Sequence, residues 1–420
     1  MKVGLETALN DVNLDAAQSL SQRQLAISLS AITEPNAKTA PLNLCLILDH
    51  SGSMSGRPLE TVKQAAHSIV DNLSAGDRLS IVVFDHRAKV LVPNQVIENP
   101  AEIKLEIDRL KASGGTAIDE GMRLGIEELA KAKKDTISQA FLLTDGENEH
   151  GDNERCLKLA KLAASYNLTL STLGFGNHWN QDVLEQIADA AGGSLSYIQK
   201  PEAAVSEFNR LFSRAQSVGL TNAHLSISLM PQVRLAELKP IAQVVPETIE
   251  LPLLDEPDPQ TNQQPNQQFI VRLGDLMAEP RVVLANLYIS QLPEGEQPIA
   301  RVQVRYDDPV SGQINLLSEA LTAYAQSANL YQPAINPQVQ QHVLALAKYR
   351  QTQIAETKLG QGDVAGAATM LQSAAKTALQ MGDYNAATVL QENATRLQDG
   401  EELSESDRKQ TRIVSKTVLQ

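Results

Sequence analysis

The chain has 420 residues, long enough for two or three domains, and its 42% apolar content is that of a globular protein with sizeable cores. A formal net charge of -14 excludes an extended basic surface for phosphate backbones, so nucleic acid is not an expected partner and cations are the more natural small ones. The stretch Met1-Lys2-Val3-Gly4-Leu5-Glu6 lacks the apolar segment of a secretory signal, and no apolar run approaches the roughly 20 residues that span a bilayer, so the expectation is a cytoplasmic chain without a transmembrane segment.

Residues 1–40 alternate loosely, and the run Gln24-Leu25-Ala26-Ile27-Ser28-Leu29-Ser30-Ala31-Ile32 has the period of two of a strand with one face on a core. A lone strand cannot bury that face, so its partners are expected beyond residue 217. From residue 41 to 216 strand and helix patterns alternate. Strands are predicted over 42–48, 79–84, 137–143, 168–173 and 194–198, with an edge strand at 88–92. Helices are predicted over 59–73, 100–110, 117–132, 154–165, 182–190 and 202–215. This is the pattern of a doubly wound, mostly parallel sheet covered on both faces. Cys45 lies inside the first apolar strand and reads as a packing residue rather than a disulfide partner; Cys156 falls on a helix.

The first of these strands ends in Asp49-His50-Ser51-Gly52-Ser53. Asp49, Ser51 and Ser53 repeat every second residue and can turn three hard oxygen donors toward one point, a donor set suited to magnesium, manganese or calcium. Taken alone, the same pattern describes an ordinary Ser-rich turn capping the next helix. Two later pieces weigh against that: Gly114-Gly115-Thr116 before a helix, and the apolar strand that ends at Thr144-Asp145-Gly146. With all three pieces in order, residues 41–216 resemble the von Willebrand factor A (VWA, integrin I-like) domain family and its metal-ion-dependent adhesion site. The resemblance implies that Asp49, Ser51, Ser53, Thr116 and Asp145 surround one divalent cation. Ser51 and Ser53 would be direct ligands, with the other three direct or through water. It also implies that the helix at 202–215 moves when such a site switches.

In a doubly wound sheet, ligands bind at the carboxyl ends of strands where the strand order reverses, and Asp49 and Asp145 both end strands expected to be neighbours there. Gly114 and Gly115 supply unusual backbone angles and Gly146 frees the turn after Asp145. Two carboxylates and three hydroxyls suit an octahedral ion that keeps waters and one exchangeable position, which an Asp or Glu carboxylate of a protein partner can take. Around this rim, Asp119 reads either as a water-mediated ligand or as an acid favoured in a helix's first turn. Asp85, His86, Glu147, Glu149 and His150 read as solvated loop positions or partner contacts, and His50 points away from the ligands. Trp179, in a Gly-bounded turn, is either an exposed anchor or a packed residue. No enzyme signature is present: Gly52-Ser53-Met54-Ser55-Gly56 has methionine where a nucleophile elbow needs serine, an aspartyl phosphotransferase needs an acid where Ser51 stands, and Walker, Cys-x-x-Cys and His-Glu-x-x-His motifs are absent.

Beyond residue 217, alternating strands without helices predict an antiparallel β-sandwich over 217–314, into which the α/β unit is inserted if the N-terminal strand belongs to it. The proline- and glutamine-rich stretch 252–268 reads as a loop excursion. From 315 to 400 the pattern is helical and Ala-rich, with Gly-Asp at 362–363 and 382–383 ending one helix and capping the next; a packed bundle is expected rather than a peptide-binding groove. Residues 401–420 read as a charged tail, mobile or only loosely helical. The composite expectation is a non-enzymatic, Mg2+-dependent protein-interaction module. The alternatives are a calcium-responsive sensor or self-assembly module, or a scaffold with a vestigial site.

Overall fold

A computed structural model describes residues 2–32, 39–254 and 268–416. In chain order the strands and helices are β1 (Lys2–Leu9), β2 (Asn13–Asp15), β3 (Leu20–Ile32), β4 (Leu42–Asp49), α1 (Arg57–Asn72), β5 (Arg78–Phe84), β6 (Ala88–Val96), α2 (Pro100–Asp108), α3 (Ile118–Ala130) and β7 (Ile137–Thr144). Then follow α4 (Asn153–Ser165), β8 (Thr169–Phe175), α5 (Gln181–Ala191), β9 (Leu195–Ile198), α6 (Ala204–Gln216), β10 (Val218–Leu229), β11 (Val233–Leu235), β12 (Ile241–Val245) and β13 (Ile249–Glu250). The chain continues with β14 (Gln268–Met277), β15 (Arg281–Ser290), β16 (Gly295–Asp308), β17 (Gln313–Leu317), β18 (Leu321–Ala328), α7 (Pro337–Gly360), α8 (Val364–Met381), α9 (Tyr384–Gln398) and α10 (Glu405–Lys416).

The α/β unit is a sheet of order β6-β5-β4-β7-β8-β9, parallel except at β6. All eight residues of β4 and of β7 are buried, because helices cover both faces of the sheet. The two faces carry separate cores. Leu44, Leu46 and Leu48 pack with α1, α2 and α6, while Cys45 and Ile47 pack with α3, α4 and α5. Strand order reverses between β4 and β7, which brings Asp49 and Asp145 to the same edge.

The second unit consists of two sheets packed face to face through Leu25, Ile27, Leu29, Leu225, Ile227, Val302 and their neighbours. β3 pairs antiparallel with β15 along ten residues, so the α/β unit is inserted within the sandwich, between β3 of one sheet and β10 of the other. Two strands were not anticipated near the N-terminus: β1 pairs with β3, and β2 pairs in parallel with β18. Much of the loop excursion expected at 252–268 lies outside the described residues.

The helical region begins later than expected. Residues 313–328 form β17 and β18, both paired with β16. The Ala-rich run Leu321–Ala328 has the composition of a helix, but its alternation buries Ala323 and Ala325 on the sandwich core while Tyr324 faces out, and tertiary pairing overrides propensity. α7 through α10 then pack around Ala355, Ala367, Leu371, Ala374, Ala378, Leu390 and Ala394. As anticipated, Gly362 and Gly382 adopt left-handed backbone (φ +79° each), and the carboxylates of Asp363 and Asp383 accept from the amides of Gly366 (2.9 Å) and Ala386 (3.0 Å).

Within the tail expected to be mobile or loosely helical, residues 405–416 form α10, a regular helix docked on the α/β unit. Lys409, Arg412 and Lys416 recur at helical spacing, and the last two meet the acidic ladder of α5: Arg412 pairs with Asp182 and Glu185, and Lys416 pairs with Glu185 (2.6 Å) and Asp189 (3.0 Å). Arg412 also reaches Glu356 of α7 at 2.6 Å. A local reading of charge misses this, because the complementary charges lie more than 220 positions earlier in the chain.

The amino-terminal ends of β7 and β8 face the sandwich, where buried Asp275 of β14 accepts from Gln139 Nε2 (2.6 Å) and Thr169 Oγ1 (2.7 Å). Asp275→Ala leaves both donors unpaired and removes the anion beside Arg281, so a loss of about 2–4 kcal/mol is expected. Urea denaturation checks this; an unchanged midpoint contradicts the role assigned to this carboxylate.

Candidate functional site

Each of the five oxygen-bearing side chains singled out in the sequence sits at the carboxyl edge of the parallel sheet. Asp49 ends β4 fully buried; its Oδ1 accepts from the Ser51 amide (2.7 Å) and its Oδ2 from Thr144 Oγ1 (2.6 Å). The Ser51 and Ser53 hydroxyls lie 3.0 Å apart, and Ser53 Oγ donates to Asp145 Oδ1 at 2.7 Å. Asp49, Ser51, Ser53 and Asp145 therefore form one continuous cluster. Thr116 approaches from the second loop, its hydroxyl 3.1 Å from the point where a Cβ on Gly146 would stand.

The loops are stitched to one another by backbone bonds. Gly52 N donates to Gly114 O (2.9 Å), Ser113 N to His50 O (2.9 Å), Ala117 N to Asp85 O (2.8 Å) and His150 N to Thr116 O (2.9 Å). Of Gly114, Gly115 and Gly146, Gly114 alone (φ +72°) uses left-handed backbone. Gly115 and Gly146 serve a different purpose from the one expected: the His150 ring stands 2.5 Å from a Cβ position on Gly115, and Thr116 crowds Gly146, so both glycines allow close approach.

Burial dominates the electrostatics. It pushes the Asp49 carboxyl up to about 6, against the hydrogen bonds from Thr144 and Ser51, and the Asp145 charge pushes the same way. Burial also raises Asp145, opposed by Ser53. Among the described residues neither carboxylate forms an ion pair with Lys or Arg, although the two are connected through Ser51 and Ser53. Two partly stripped anions without a protein cation, with three hydroxyls beside them, make a hard-oxygen donor set that fits a divalent cation. Among the described residues no cluster of three or more His, Cys, Asp or Glu offers a metal site, so the donors here are the mixed carboxylate and hydroxyl set alone.

The surrounding residues divide clearly. Asp119 is buried and pairs with Arg155 at 2.9 Å. Asp85 holds its own turn, accepting from Arg87 N (2.8 Å) and Ser113 Oγ (3.2 Å), and its other neighbour is His86. His50 turns from the cluster toward Lys111 O (3.0 Å). Glu147, Glu149 and His150 are exposed on the rim. Trp179 is buried, its Nε1 donating to Gly176 O (2.7 Å) and its ring beside Tyr197. Two contributors escaped the sequence reading. Thr144 was visible only as a hydroxyl closing an apolar strand. Asn148 accepts from Ile118 N (2.7 Å) and fixes the start of α3, and nothing local marks it.

Comparison with known proteins gives two family models. The von Willebrand factor type A domain matches residues 43–211, and the Sll0103-like, C-terminal alpha-helical domain matches residues 337–420. The chain is 59% identical to protein sll0103 of Synechocystis sp. over 421 residues, covering 100% of this chain and 98% of that protein. Inter-alpha-trypsin inhibitor heavy chain H3 of Rattus norvegicus is 28% identical over 196 residues, spanning 44% of this chain but only 22% of its own length. Among solved structures, a von Willebrand factor type A protein from Catenulispora acidiphila superposes with a TM-score of 0.81 at 19% identity, covering 99% of this chain and 97% of that one. The ArnB paralog VWA2 from Sulfolobus acidocaldarius gives a TM-score of 0.56 at 15% identity over the same shares. At these identities the structural likeness speaks to fold.

The raised carboxyl of Asp49 gives a pH prediction in chelator. Its folded value of about 6 lies above the ordinary 3.8, so its contribution to stability is present at low pH and is lost as pH rises through 6. Stability of wild type relative to Asp49→Asn should therefore rise as pH falls from about 7 to 4, by at most ~3 kcal/mol. Thermal melts of both proteins across that range check this, and a pH-independent difference contradicts it.

Proposed function

Because the chain belongs to the family of Synechocystis protein sll0103 and carries a von Willebrand factor type A domain, generally a protein-interaction module, we propose that it is a non-enzymatic, cation-dependent binding protein. Asp49, Ser51, Ser53, Thr116 and Asp145 hold one divalent cation, Mg2+ in preference to Ca2+ or Mn2+, at the sheet's carboxyl edge. The observation that carries this reading is the pair of buried carboxylates connected through Ser51 and Ser53 and lacking a Lys or Arg partner among the described residues. The cation supplies compensating charge and an exchangeable position that attracts an acidic side chain.

The chain's own residues do the rest. Thr144 and the Ser51 amide fix both oxygens of Asp49, and Ser53 links the first loop to the third, so the donor oxygens are largely in place before a ligand arrives. Two carboxylates just balance a divalent cation, so the loaded site carries no excess negative charge to repel a partner's Asp or Glu from the exchangeable position. A cytoplasmic setting is supported by two buried free thiols, Cys45 and Cys156, compatible with a reducing compartment. Among the described residues no helix is long and apolar enough to cross a membrane.

Isothermal titration with MgCl2 tests the proposal. Wild type is expected to bind one equivalent, and Asp145→Ala to lose binding while keeping its circular dichroism spectrum. Capture of protein partners by the immobilised wild type should likewise be lost in chelator. Absence of Mg2+, Mn2+ and Ca2+ binding by wild type overturns it.

A further inference from the structure

The docked helix α10 reaches the cation site through a short chain of contacts. Lys409, itself buried, donates to Asn177 O and sets its ammonium 4.4 Å from the centre of the Trp179 ring. The indole lies flat against β8: its ring atoms are 2.2–2.5 Å from where a Cβ on Gly174 would stand, so only glycine admits the ring there. Gly174 pairs with Thr144 on the neighbouring strand, and Thr144 is the residue whose hydroxyl donates to Asp49 Oδ2 and accepts from Gly146 N (3.2 Å). At the far end Arg412 and Lys416 tie α10 to α5, the helix that follows Trp179 directly.

We propose that Lys409 is a positioning residue for the cation site: by clamping Trp179 against Gly174 it sets the strand end from which Thr144 orients Asp49, so that docking of α10 and binding of the cation favour one another. The proposal rests on the cation-binding reading above and adds its control by the C-terminal helical region. Coupling between two sites is reciprocal, so whatever factor α10 contributes to cation affinity, the cation returns to α10 docking. Each link is a packed or hydrogen-bonded contact, which is the physical basis such coupling needs.

The full chain is titrated with MgCl2 as wild type, Lys409→Gln, Lys409→Arg and Lys358→Gln. The last removes an ion pair within the helical region, that of Lys358 with Asp363 at 2.7 Å, without touching α10. Lys409→Gln should weaken Mg2+ binding about fivefold or more, the low end of ordinary coupling between sites, while Lys409→Arg restores most of it and Lys358→Gln leaves it unchanged. Deuterium exchange on wild type alone is the second measurement: Mg2+ should slow exchange across residues 405–416 as well as at the site loops. A Lys409→Gln protein that binds like wild type, or an α10 whose exchange ignores Mg2+, overturns the positioning role while leaving the cation site standing. A wild type that takes up no divalent cation overturns both.

Discussion

Two carboxylates at the ends of neighbouring parallel strands, buried and connected through Ser51 and Ser53, are the constraint around which this fold is arranged. Burying an anion costs several kcal/mol unless charge or hydrogen bonds offset it. The chain supplies hydrogen bonds, from Thr144, Ser51 and Ser53, and no cation of its own among the described residues. Rigid loops are needed to keep such donors in place, which accounts for the backbone bonds joining the three loops and for the glycines at which the His150 ring and Thr116 press against the backbone.

The insertion geometry separates the sheet's two ends. Its amino-terminal edge is fixed on the sandwich through Asp275, Gln139 and Thr169, in a contact whose polar groups are hydrogen-bonded. At its carboxyl edge, α10 touches one flank, over Trp179. The helical region thus spans two contacts. α7 packs Val339, Leu346 and Tyr349 on the outer face of the sheet holding β12 and β15, and α10 packs on α5. This path gives the helical region a physical route to the site.

The alternating strands and helices between residues 41 and 216, the neighbouring Asp49 and Asp145, and the capping Gly-Asp pairs were legible because each depends on local periodicity or turn chemistry. What was not legible depends on distant partners. Residues 321–328 look helical until β16 is alongside them, and residues 405–416 look like a solvated tail until the acids of α5 face Arg412 and Lys416. Trp179 could not be assigned to surface or core from its own neighbours, since Gly174 and Lys409 decide the matter. At the site, the residue types that carry charge were readable, whereas Thr144 and Asn148, which only hold others in place, were not.

The central claim is that the oxygens of Asp49, Ser51, Ser53, Thr116 and Asp145 surround one divalent cation. Anomalous diffraction at the manganese edge, from crystals of the full chain grown with MnCl2, tests it most directly. The account predicts one strong peak between the Ser51 and Ser53 hydroxyls, lost in crystals of Asp145→Ala. Ordered site loops with no peak there, or a peak held by other residues, would contradict it.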